Sequence, residues 1–142
     1  MNLLDVVHHK EFLDRIFPDG ISEKIVFAQV SVDSFGSTEL GIHVRKKPAI
    51  YISKWGEWGE DYNTIVIKAI GVTVKSLSVI NIQKATYADF SIAECADGYL
   101  LSQSNGSWSI ELVFESLMFH RCVVYLDGAE NFESAAQEIC HD

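Results

Sequence analysis

From residue 24 to residue 126 apolar residues recur at every second position, in runs of six to nine residues separated by Gly, Asn, Asp or Pro. That period belongs to strands with one buried face, and no stretch of helical spacing long enough for a crossover lies between the runs. The runs are 24–32, 39–47, 49–54, 63–70, 73–80, 88–95, 98–104, 107–115 and 118–126. Short strands joined by tight turns pack as antiparallel meanders in two layers. The fold class expected is therefore mainly β, an antiparallel two-layer sandwich-like meander of eight or nine strands. Asp97-Gly98 and Asn105-Gly106 are the clearest turn signals.

Residues 3–17 break this pattern. Leu3, Leu4, Val7, Leu13, Ile16 and Phe17 share one face at helical spacing, and Pro18, Asp19 and Gly20 end it, so a helix is expected over 3–17. Residues 129–139 form a possible short acidic helix after Asp127-Gly128. With 142 residues and no linker, repeat or low-complexity tract, one domain accounts for the chain: a helix at 3–17, a β-rich body at 24–126 and an acidic tail at 127–142.

The last two runs read as a hairpin with a three-residue turn centred near Leu117. That register puts Trp108, Ile110, Leu112 and Phe114 on one face with His120, Cys122, Val124 and Leu126. Ser109, Glu111 and Glu115 then share the other face with Arg121. Cys122 is expected to be buried and inert. Three cysteines without CxxC spacing suggest neither a disulfide framework nor a zinc clamp.

Charge is distributed unevenly. The formal net charge is −9; residues 1–84 hold ten acids and ten bases, whereas residues 85–142 hold ten acids and one base, Arg121. Such a chain is a poor direct binder of nucleic acid or anionic lipid, and a charged partner should be basic. No apolar run approaches the roughly 20 residues of a membrane span, and the first residues lack the pattern of a signal peptide. A cytoplasmic protein without a membrane anchor is the expectation.

The segment WGEWGEDY, residues 55–62, is the most unusual in the chain. Trp55, Trp58 and Tyr62 either fold back on the core or anchor an interface, and Glu57, Glu60 and Asp61 either solvate a loop or meet a cationic surface. The five histidines show no HxH or HxxxH spacing, and no GxSxG, P-loop or GxGxxG occurs. No catalytic residue, metal site or cofactor is expected. A hydrolase assembled from dispersed Ser, His and Asp is the weakest of the readings considered.

The stretch Ile65 to Cys95, IVIKAIGVTVKSLSVINIQKATYADFSIAEC, followed by SWSIELVFESLMFHRCVVYLDG, resembles the small acidic β-rich immunity proteins encoded beside bacterial polymorphic toxins, including those of contact-dependent growth inhibition. The resemblance spans roughly residues 24–128 and leaves the N-terminal helix and acidic tail uncovered. It implies a non-enzymatic cytosolic inhibitor that binds one cognate toxin domain, commonly a cationic nuclease, and blocks its active site or substrate path. Contact residues vary between cognate pairs in that family, so none carries over. Charge and residue type alone nominate Trp55, Glu57, Trp58, Glu60, Asp61, Tyr62, Glu111, Glu115, Glu130 and Glu133 as toxin-binding. The alternative is a small β-sandwich module that stacks the loop aromatics on a carbohydrate or apolar ligand.

Overall fold

The structure is a computed structural model and describes residues 1–35 and 37–128. Among the described residues nine strands form two sheets, in keeping with the mainly β, two-layer fold expected from the alternation. The first runs β1 (Val7–His8), β9 (Ser116–Tyr125), β4 (Thr64–Val72), β3 (Thr38–Val44), β2 (Ile25–Val32) in spatial order. All its pairs are antiparallel except β1 with β9. The second runs β5 (Ser76–Ile80), β8 (Ser109–Phe114), β7 (Gly98–Ser104), β6 (Phe90–Cys95) and is antiparallel throughout. The inner faces of both sheets feed one apolar cluster that includes Phe27, Leu40, Ile67, Leu101, Trp108, Leu112 and Phe114. Among the described residues no helix is long and apolar enough to cross a membrane.

The expected hairpin of the last two strands does not form. β8 passes into β9 through the single residue Glu115; β8 pairs with β5 and β7, whereas β9 pairs with β4 and β1. The two strand pairs turn the corner between sheets together. Glu115 N–H donates to the Val72 carbonyl at 3.0 Å and Lys75 N–H to the Val113 carbonyl at 2.8 Å, so backbone pairing persists through the corner. Trp108, Ile110, Leu112 and Phe114 are buried, as the alternation implies. In β9 the pairing jumps from Lys68–Arg121 to Ala69–Phe119, which leaves His120 as an extra residue in a bulge. His120 and Arg121 are both exposed in consequence, while Cys122 and Val124 stay half-buried against the core. Leu126, expected on the core face, is 51% exposed.

The expected helix over 3–17 divides into three. Leu3–Val6 is a turn of 3-10 helix, Val7–His8 is β1, and Glu11–Ile16 is the short helix α1. Asn2 starts the first turn, its side chain accepting from Leu4 N–H while Asp5 accepts from Asn2 N–H, both at 2.9 Å. His9, at φ 60°, interrupts the helical path. The apolar spacing is still satisfied: Leu3, Leu4, Val6, Val7, Leu13, Ile16 and Phe17 are all buried. What the helical reading lacked is the open edge of β9, which captures Val7 and His8 opposite Leu117 and Met118.

Residues 49–54, read above as a strand, form a loop. Pro48 precedes them, Ala49 N–H is held by the Ile16 carbonyl at 2.8 Å, and Trp55 N–H turns back to the Ile52 carbonyl at 2.9 Å. The possible helix at 129–139 lies outside the described residues. Asp127, placed at the start of the acidic tail, is buried: it pairs with Arg45, its N–H donates to Asn63 Oδ1 at 2.8 Å, and its carbonyl accepts from Asn63 Nδ2 at 2.9 Å.

Candidate functional site

The 55–62 loop follows the 49–54 segment and leads directly into β4. Its path is set by its own backbone and by Asp61. Glu60 and Asp61 N–H groups donate to the Glu57 carbonyl at 3.1 and 2.8 Å, Gly59 N–H to the Tyr62 carbonyl at 2.7 Å, and Asp61 Oδ2 accepts from Glu57 N–H at 2.7 Å. Gly56 is required twice over, because its φ is +89° and a Cβ there would run into the Asp61 carboxylate.

The structure divides the loop aromatics between the two roles considered for them. Trp55 and Tyr62 are buried, and Trp55 meets Phe12 of α1 and Tyr62 edge-to-face, each at 5.7 Å between centroids. Phe12 in turn stacks with Phe119 of β9 at 6.3 Å, so an aromatic chain bolts the loop to the first sheet. Trp58 is half-buried and stands at 88° to Tyr62, 5.3 Å away. Glu57, Glu60 and Asp61 are exposed.

Gly56, Glu57, Trp58 and Tyr62 of the loop line an open cavity of about 300 Å³ together with Lys47, Pro48, Ala49, Ile50 and Tyr51. Tyr51 is 63% exposed. Burial pushes the Tyr62 phenol pKa up, and the nearby Glu57 and Tyr51 push it further. Sequence reasoning missed Tyr51 and Ile50 because it placed 49–54 in a strand, and Lys47 because it extended the preceding strand to 47, whereas β3 ends at Val44. Pro48 beside a tightly turned glycine loop is the signal that argues for a second loop there.

The other nominated carboxylates lie elsewhere. Glu111 stands on the outer face of the second sheet in a row of hydroxyl side chains, paired across strands with Ser78 and Ser102, and Ser102 Oγ is 3.1 Å from Ser91 Oγ. Glu115 is exposed at the corner between sheets. No hydrogen bond, ion pair or ring contact joins either to the 55–62 loop. Glu130 and Glu133 lie outside the described residues.

Ion pairs among the described residues join Arg45 to Asp127 and Lys46 to Glu23, and His120 Nδ1 lies 3.8 Å from a Glu39 carboxylate oxygen. Glu57, Glu60, Asp61, Glu111 and Glu115 have no cationic partner in this set. Among the described residues no three His, Cys, Asp or Glu side chains converge as a metal site. His43 is half-buried and 3.0 Å from the Tyr125 hydroxyl. Burial lowers its pKa, and Lys68 adds to that. Cys122 is half-buried, and burial pushes its thiol up to about 12. That disfavours a thiolate nucleophile there. Compared with protein-family models, curated proteins and solved structures, the chain matches none of them.

Proposed function

We propose that this chain is an immunity protein, a non-enzymatic cytoplasmic inhibitor that binds a cationic toxin domain, a nuclease by the resemblance, and covers its active site or substrate path. The observation that carries the reading is the 55–62 loop: three exposed carboxylates without a cationic partner, held beside the half-buried Trp58 on a backbone already fixed by Asp61 and by the Phe12–Trp55–Tyr62 rings. A pre-ordered loop pays little further entropy on binding, and exposed carboxylates raise the rate of encounter with a basic surface. The −9 charge of the chain acts in the same direction at longer range.

The test is genetic and kinetic. The C-terminal domain of a large secreted protein encoded immediately upstream, expressed alone, should arrest growth, and co-expression of this chain should restore it. Arrest that this chain does not relieve would refute the proposal. The aromatic cavity also supports the second reading, a carbohydrate-binding module. Salt separates them: association with a basic toxin slows as salt rises, whereas stacking on a sugar hardly responds.

A further inference from the structure

We infer that the cavity between residues 47–51 and the 56–62 loop is a seat for a planar guanidinium, an arginine side chain projecting from the partner protein. This rests on the reading of the chain as an inhibitor of a basic protein and names how one partner residue would be recognised. The volume, about 300 Å³, is at the bottom of the range for small-molecule pockets. It suits one side chain better than a larger ligand.

Its walls have the chemistry of a cation seat. Half-buried Trp58 and Tyr51, 63% exposed, offer aromatic surface to this space, whereas Tyr62 is buried and packs edge-to-face with Trp58 at 5.3 Å, fixing the indole in place. Aromatic faces attract a cation within about 6 Å of the ring, and a guanidinium, flat and weakly hydrated, stacks on them better than an ammonium does. Glu57 lines the same space with no cationic partner among the described residues, and its backbone N–H is held by Asp61 at 2.7 Å. Lys47 also lines the cavity and opposes a cation there. Its exposed, flexible stem lets the ammonium withdraw into solvent. Glu57 and Lys47 carry opposite charges in the same lining, so the sign of the preferred ligand is a sharp test.

The probe is acetyl-arginine amide, titrated against the full chain with the indole N–H of Trp58 and the ring protons of Tyr51 followed by NMR. Acetyl-lysine amide, acetyl-glutamate amide and a neutral oligosaccharide serve as comparisons. Saturable shifts are expected with the arginine compound and weaker ones with the lysine compound. Glu57→Gln should weaken arginine binding about threefold and Lys47→Gln should strengthen it by a similar factor. Tyr51→Ala, at an exposed position that folding tolerates, should weaken it about threefold. No response to arginine, a stronger response to glutamate or to the sugar, or lysine binding as tight as arginine would each overturn the inference. If arginine does not bind while the loop carboxylates still set the rate of association with the basic toxin, the inhibitor reading stands and this inference falls. Arginine binding without relief of the toxin gives the reverse.

Discussion

Gln103 is a buried polar side chain on β7, 2% exposed, and it ties the second sheet to the edge of the first. Its Nε2 donates to the Ile25 carbonyl at 2.6 Å and to the Ala88 carbonyl at 2.8 Å, and its Oε1 accepts from Phe27 N–H at 3.2 Å. Gln103→Leu removes all three bonds at nearly constant volume. The carbonyls keep partners, because Ile25 and Ala88 exchange backbone bonds of 3.3 and 3.1 Å. Phe27 N–H is left orphaned on β2 inside the core, at a cost of about 1–3 kcal/mol, and the two donated bonds are worth about 1 kcal/mol each. Burial of the Leu side chain offsets about 1–2 kcal/mol of this. The net loss should be about 2 kcal/mol, a sizeable part of a typical domain's total stability, and should lower the melting temperature by about 7 °C. Urea titration measures it, with an unchanged denaturant slope showing that only the native state is affected. A loss under about 0.5 kcal/mol would refute the claim that Gln103 is a structural bridge between the sheets.

Further outcomes are expected at four places in the molecule. Replacing Glu57 and Glu60 by Gln and Asp61 by Asn should slow association with a basic toxin about tenfold at low salt, an effect that fades as salt rises, measured by stopped flow. Trp58→Ala should act mainly on dissociation and cost about 2 kcal/mol of binding, read from surface-based kinetics. Cys122 should resist native thiol labelling while the exposed Cys95 reacts. Because the folded thiol is raised from 9.0 to about 12, its contribution is complete below pH 9 and lost as pH rises toward 12, a fall that Cys122→Ala should reduce in alkaline urea titrations. His43 has the opposite sign: its depressed folded pKa makes its contribution complete above the ordinary value of 6.5 and lost as pH falls through the folded value. His43→Gln should therefore flatten the acid limb of stability, and an unchanged limb would show that His43 does not govern it.

The elements legible in the chain were those with a local cause. β2, β3, β4 and β6–β9 are close to the runs read from alternation, because alternation reports which face of a strand is buried whatever lies beside it. The outward carboxylates Glu111 and Glu115 and the exposed acids of the 55–62 loop follow from the same logic, as does the core row from Trp108 to Phe114. Pairing is different in kind. Whether β8 returns against β9 or passes through Glu115 into another sheet depends on β4 and β5, which lie some 40 residues upstream and whose bond from Val72 to Glu115 closes the corner. The same dependence on distant edges turned Val7 and His8 into a strand and moved His120 to the outer face through a bulge opposite Lys68 and Ala69. It also governed the candidate site. Sequence placed the aromatic-acidic loop on the map, but only tertiary contacts decided that Trp55 and Tyr62 anchor it through Phe12, that Trp58 is left to line a cavity, and that Tyr51 faces it. A side chain's burial preference is a property of the residue, whereas the surface that satisfies it belongs to another part of the chain.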